Sequence, residues 1–245
     1  MAIDLTNLVC VVTGAGEGIG HGLVHGFLKR GACVVAGLLN LELSAADVIP
    51  AHPLQLDVTK IDEIHAAVAS VIRHYGRIDV WINNAGIYPR KTADTMTFED
   101  WHHVLNTNLS GAWHCSEAII PHLKNQGAGA IINVGSIALR LGTADLTHYL
   151  ASKGGVVGLT RGLARDLGPH GIRVNCINLG AVHTEGELRL FPDQLQLLEA
   201  LETKQALRGR LTTTSIEPVF AFLSSAESSD ITGQCITVDR GWSHD

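Results

Sequence analysis

Tyr149 and Lys153 stand four residues apart in "HYLASK", so a helix beginning near 148 would carry both on one face. Thirteen residues upstream of the tyrosine, Ser136 closes an apolar, strand-like run, and Asn108 lies in the helical segment before that run. A tyrosine beside a lysine can move a proton on and off an oxygen atom. A phenol with a pKa near 10 is a poor base at neutral pH, and lowering it by about three units takes roughly 4 kcal/mol. One ammonium about 4 Å away supplies about that much at an effective dielectric near 20. Lys153 is expected to play this part, and Ser136 to hydrogen-bond the reacting oxygen and stabilise its negative charge. Asn108 is expected to hold a water linking Lys153 to solvent. A lone Tyr-x-x-x-Lys arises often by chance, so everything depends on whether the fold brings the four residues together.

The elements that must do so alternate along the chain. "LVCVVT" (8–13), "ACVVAG" (32–37), "HPLQL" (52–56), "IDVWIN" (78–83), "AIINVG" (130–135), "IRVNCIN" (172–178) and "CITVD" (235–239) read as seven strands. Most are apolar on both faces, as parallel strands covered on each side would be. Helical periods fall near 18–30, 60–75, 97–124, 148–168, 192–206 and 215–225, with a short helix expected in 41–51. The pattern predicts an α/β fold: a single Rossmann-like, doubly wound domain over 1–245, its seven-stranded parallel sheet covered by helices on both faces. The stretch 181–211 is too long for a turn and is expected to form a helical flap over the carboxyl ends of the strands.

At the first strand exit, "TGAGEGIG" (13–20) opens a helix. Gly14, Gly16, Gly18 and Gly20 would permit a tight turn whose backbone amides approach a pyrophosphate at the helix N-terminus, with Glu17 and Ile19 between them. Such a turn can also be purely structural. Asp57 in "LDV", followed by Val58, could accept a hydrogen bond from an adenine amino group. "NNAG" (83–86) ends the fourth strand with Asn84, Ala85 and Gly86, either as a mere turn or along the same ligand. With a dinucleotide in place, the proton chemistry suits hydride transfer between a nicotinamide and a secondary alcohol or ketone.

Taken together, TGxxxGxG at 13–20, NNAG at 83–86, "NLSG" from Asn108, Ser136 and Tyr149-x-x-x-Lys153 resemble the short-chain dehydrogenase/reductase family in its shorter, classical form, over essentially the whole chain. The resemblance implies that Asn108, Ser136, Tyr149 and Lys153 are the catalytic tetrad. It also implies that Lys153 binds the nicotinamide ribose, that Thr184 contacts the carboxamide, and that Gly180 and Val182 belong to the cofactor site. A homotetramer is implied, joined through the helices around 97–124 and 148–168 and the C-terminal segment. Three departures stand out: Leu179-Gly180 where Pro-Gly is common, Asp239-Arg240-Gly241 where Asp-Gly-Gly is usual, and Leu38 where NAD-dependent members have a ribose-binding Asp. No Arg or Lys lies in 34–41 to meet a 2′-phosphate, and Glu17 would repel one. The expected cofactor is therefore NAD in preference to NADP.

The substrate pocket is expected to draw on Ser136, Ile137, Tyr88, Arg140 and Tyr149. Arg140 with Arg90 would suit a carboxylate or phosphate, unless both are solvated charges; Ile137, Tyr88 and nearby leucines would suit an aromatic or alicyclic ketone. His148 is expected at the helix start, pointing away from the tyrosine. Composition limits the partners. Eighteen Lys+Arg against 24 Asp+Glu give a net charge of −6 without a basic cluster, which argues against nucleic acid and anionic membrane and for a small alcohol or ketone. The five cysteines are widely spaced and read as thiols of a reducing, cytoplasmic compartment. His21 and His25 share a helix face without a third ligand, so no metal site is expected. Competing readings are a 3-oxoacyl thioester reductase and a catalytically silent nucleotide-binding regulator.

Overall fold

The computed structural model describes residues 3–41 and 51–244. The elements are β1 (Val9–Thr13), α1 (Gly18–Lys29), β2 (Cys33–Leu38), β3 (His52–Gln55), α2 (Ile61–Tyr75), β4 (Val80–Asn83), α3 (Phe98–Leu105), α4 (Gly111–Gln126) and β5 (Gly129–Ser136). They continue with α5 (Ala138–Leu141), α6 (Thr147–Leu167), β6 (Ile172–Leu179), β7 (Val182–His183), α7 (Glu185–Leu190), α8 (Gln194–Glu202), β8 (Leu211–Thr212), α9 (Thr213–Ser224) and β9 (Cys235–Val238). The short helix expected in 41–51 lies almost wholly outside the described residues.

Seven strands form one parallel sheet in the order β3-β2-β1-β4-β5-β6-β9. Side chains alternate across it: Cys10 and Val12 enter a core with Leu23 and Phe27 of α1 and Phe220 of α9. Val9 and Val11 enter a second core with Val68 of α2, Ile119 of α4 and Leu163 of α6. Because both faces are covered, the central strands β1, β2 and β4 are buried along most of their length. The chain leaves β1 toward β3 and then returns to β4 on the other side. The strand order therefore reverses between β1 and β4, where a crevice opens.

One expectation changes here. The helix read as continuous over 97–124 is two helices, α3 and α4, joined by a π-turn at Asn106–Ser110 in which Gly111 N donates to Asn106 O. A π-turn takes one residue more than an α-turn, and such bulges cluster at functional sites. The stretch after β6 folds as α7 and α8, framed by β7 and β8, which pair with each other outside the main sheet.

Candidate active site

The glycine turn is held by its neighbours before any ligand is considered. Gly14 has φ 62°, and a Cβ there would lie 2.8 Å from Ala85 Cα; Gly18 has φ 57°. Both positions therefore need glycine. Asn84 Nδ2 donates to Thr13 O (2.9 Å) and Gly14 O (3.0 Å), and Thr13 Oγ1 accepts from the amides of Asn84 and Ala85 at 3.0 Å. "NNAG" is thus the brace of the glycine turn. Its first asparagine instead faces the core, where Asn83 Nδ2 donates to Asn133 Oδ1 at 2.8 Å and Asn133 Nδ2 to Thr160 Oγ1 at 2.9 Å, tying β4 and β5 to α6.

A groove of about 710 Å³ runs from this turn along the strand ends. Gly14, Gly16, Glu17, Gly18, Ile19, Asp57, Val58, Asn84, Ala85, Gly86, Tyr149, Lys153 and Thr184 line it. Gly20 lies beneath it, where a Cβ would meet Gly14 O at 2.3 Å. Leu38 does not line it: its side chain is fully buried in the core with α1, and Leu39 and Asn40 form the rim in its place. Burial pushes the Asp57 carboxyl up, but hydrogen bonds from Thr59 N (2.9 Å) and Oγ1 (2.7 Å), with Lys60 beside it, leave it below the usual carboxylate range. Glu17 pairs with Arg189 of α7 at 2.7 Å.

The groove meets a smaller cavity of about 250 Å³ at Tyr149, Tyr88, Val134, Ile19 and Thr184. Ser136, Ile137, Gly180 and Val182 line the smaller cavity, so the last two lie one chamber further in than the cofactor groove. Arg140 is exposed on α5 and does not line it; Arg90 does, with its guanidinium 5.6 Å from the Phe191 ring centroid. Spacing alone gave no sign of Glu187, Phe191 and Trp242, which also line it, because they reach it through the fold of the flap and the C-terminal turn.

Tyr149 and Lys153 share a face of α6, with Lys153 Nζ 5.6 Å from the tyrosine ring centroid and donating to Val134 O at 2.8 Å. Burial pushes the Tyr149 phenol up to about 12, partly offset by its hydrogen bond with Ser136. Burial likewise lowers Lys153 to about 8. The lysine alone therefore does not lower the phenol: its ammonium is itself desolvated and engaged by a carbonyl. Asn108, only 2% exposed, sits in the π-turn, and its side chain is spent on the backbone after β4. Oδ1 accepts from Ile87 N at 2.8 Å, while Nδ2 donates to Ile87 O at 2.8 Å and Ser152 Oγ at 3.1 Å. His148 is fully buried, and its Nδ1 accepts from Tyr149 N at 2.9 Å, supporting the first turn of α6.

The two other departures noted in the sequence are well anchored. Leu179 O accepts from Ile137 N at 3.1 Å, and Gly180 N donates to Val238 O at 3.0 Å, so the strand end without proline is tied on both sides. Arg240 has φ 59°, a conformation that favours glycine, and its side chain holds the carbonyls of Leu207 and Arg208. His21 and His25 bring their Nε2 atoms to 3.1 Å of each other, and among the described residues no three His, Cys, Asp or Glu side chains converge on a metal position. Among the described residues no helix is long and apolar enough to cross a membrane.

A reversing parallel sheet, a braced glycine turn at the reversal, and a phenol, an ammonium and a hydroxyl where groove meets cavity define a nucleotide-dependent oxidoreductase. The comparisons with known proteins agree. A family model described as enoyl-(acyl carrier protein) reductase matches residues 14–243. D-xylose 1-dehydrogenase of Caulobacter vibrioides is 35% identical over 242 residues, covering 95% of this chain and 94% of that protein. 3-Oxoacyl-[acyl-carrier-protein] reductase FabG of Thermotoga maritima is 36% identical over 244 residues, covering 97% and 98%. The crystal structure of gox2181 superposes with a TM-score of 0.92 at 28% identity, covering 98% of this chain and 97% of that one. The chain belongs to the classical short-chain dehydrogenase/reductase family. It is an NAD(P)-dependent oxidoreductase that transfers a hydride between nicotinamide and a secondary alcohol or ketone.

Proposed function

We propose that the chain is a dehydrogenase/reductase of a small, uncharged secondary alcohol or ketone, with Tyr149 as general acid/base and NAD as the preferred cofactor. The observation that carries this reading is the meeting of Tyr149, Ser136 and Lys153 at the junction of a long polar groove and a compact, largely apolar cavity. The groove suits a dinucleotide. Its glycine turn already accommodates an anion, since the Glu185 carboxylate takes the Gly18 amide at 3.2 Å. The turn amides would hold a pyrophosphate, Asp57 the adenine end, Lys153 the nicotinamide ribose and Thr184 the carboxamide.

When bound, the nicotinamide accepts or gives the hydride and, when oxidised, carries positive charge. The protein's own residues would do the rest. Ser136 would hold the substrate oxygen beside the phenol. Tyr149, a protonated phenol at neutral pH, is ready to give a proton to a ketone oxygen; in the reverse direction it would take one back. Lys153 would relay that proton toward solvent. Because the Asn108 side chain is engaged, its part in such a relay would pass through the main chain of the π-turn.

The NAD preference is supported by Leu39 and Asn40 at the groove rim, where neither residue is a cation, and by Glu17 in the same groove. Arg189 neutralises Glu17, so the preference should be modest. A homotetramer is supported by apolar surface at Trp113 on α4 and by the family; a cytoplasmic location is supported by five thiols without a disulfide. A net charge of −6 without a basic cluster disfavours an acidic carrier protein, and hence a 3-oxoacyl thioester. A panel of small secondary alcohols and ketones, assayed separately with NAD(H) and NADP(H) by nicotinamide absorbance, tests the proposal. The expected result is turnover with higher kcat/KM for NAD(H), abolished by Tyr149→Phe. Undiminished turnover in Tyr149→Phe would overturn the mechanism, and a tenfold NADP(H) preference would overturn the cofactor choice.

A further inference from the structure

We infer that Glu187 selects the substrate by accepting a hydrogen bond from a hydroxyl that the substrate carries away from its reacting carbon, so that diols and hydroxyketones are favoured over simple alcohols and over acids. The inference rests on the reading of the cavity as the substrate site.

The cavity is lined mostly by apolar side chains, among them Ile137, Leu141, Leu146 and Phe191. At its reacting end stand the hydroxyls of Ser136 and Tyr149. Apart from these, the charged groups on its wall are Arg90 and Glu187. Arg90 is committed elsewhere: it donates to Ala144 O at 3.4 Å, lies 3.9 Å from Asp145 and stacks on Phe191.

Glu187 is different, because it is only 7% exposed and its carboxylate is half used. Oε2 accepts from Arg210 and lies 3.5 Å from His183 Nδ1, whereas among the described residues Oε1 has no hydrogen-bond partner. Arg210 pairs with one oxygen and leaves the second unfilled. A carboxylate accepts and does not donate, so the free oxygen recognises a donor, and its charge repels an acidic substrate. A carboxylate oxygen that gives up water when a ligand fills an apolar chamber needs a donor in its place, and a ligand hydroxyl supplies one.

The position of the group is fixed. Glu187 N donates to Thr184 Oγ1 at 3.2 Å, closing the first turn of α7. A Cβ on the preceding Gly186 would lie 2.6 Å from the Tyr88 hydroxyl, and the Tyr88 ring is 6.1 Å from that of Tyr149. Glycine at 186 therefore lets α7 close on Tyr88 and brings Glu187 onto the wall of the chamber that holds the reacting phenol.

The test compares kcat/KM for cyclohexanol and trans-cyclohexane-1,2-diol in the wild type, in Glu187→Gln and in the double variant Glu187→Leu/Arg210→Met. The double variant removes the ion pair without stranding the arginine, and thermal melting reports whether it folds. The wild type should favour the diol at least tenfold, the size of one charge-assisted hydrogen bond. Glu187→Gln should lower that preference severalfold and the double variant should abolish it, the loss falling on the diol more than on cyclohexanol. An unchanged diol preference in folded variants, or an equal fall for both alcohols, would overturn the role of Glu187 alone. A wild type inert to both alcohols with either cofactor would overturn the substrate reading beneath it.

Discussion

The Glu185 carboxylate of α7 accepts a hydrogen bond from the Gly18 amide at 3.2 Å, on the first residue of α1. That amide belongs to the helix terminus where a dinucleotide phosphate is favoured by the helix dipole. Side chain and phosphate therefore compete for one donor. Glu185→Gln is expected to tighten NAD(H) binding about two- to fivefold, the range of one charge at a helix end, as measured by cofactor fluorescence titration. Weaker binding in the variant would show that Glu185 assists the cofactor.

Stability should follow pH through Lys153. Its folded pKa of about 8 lies below the ordinary value of 10.5, so between those values the unfolded chain holds more protons than the folded one. Stability therefore rises with pH across that window, by up to about 3 kcal/mol. Tyr149 acts in the opposite sense: with its folded pKa raised from 10 to about 12, stability falls as pH rises between those values. Urea midpoints at pH 7.5 and 9.5, without cofactor, check the first effect, and Lys153→Met should flatten it.

Asn108→Ala should be costly far beyond its size. It removes two hydrogen bonds to the Ile87 main chain and one to Ser152, all made by a buried side chain. A loss of about 2–3 kcal/mol is expected, together with a large fall in kcat, since the backbone after "NNAG" would lose its anchor. Denaturant titration and steady-state kinetics on the same preparation separate the two effects.

Far from the chemistry, Arg30 and Glu217 join α1 to α9 through bonds of 2.7 and 2.9 Å, with Glu217 buried. Arg30→Met strands a buried carboxylate and should cost about 3–5 kcal/mol. Adding Glu217→Leu should recover most of that loss. In both variants kcat should stay at the wild-type level, which thermal melts and kinetics would show.

Most strands were legible because they are apolar runs bounded by turn residues; "CITVD" at 235–239, for example, folds as Cys235–Val238. The direction of Leu38 was hidden for the same reason: in a strand buried on both faces, alternation no longer tells one face from the other. Leu38 stands where NAD-dependent members have a ribose-binding Asp, whereas its side chain belongs to the α1 core. The spacing of Ser136, Tyr149 and Lys153 was legible, but the protonation of Tyr149 was not, because burial and the Lys153–Val134 bond depend on three-dimensional packing. Glu187 escaped notice in a segment whose period is too irregular to assign a face, and it reaches the cavity from α7, which follows the strand β7 paired with the distant β8.

The π-turn at Asn106–Ser110 gives chain length a meaning there that it lacks in a surface loop. Deleting any one of its residues would restore an ordinary helix and turn everything upstream by about 100° relative to α4. Asn108 would swing away from Ile87, and Phe98–Leu105 would lose its place against α6. Point substitutions at Thr107 or Leu109 leave that geometry standing, whereas a single-codon deletion erases it. The segment is therefore constrained by its residue count as strictly as by the asparagine it carries.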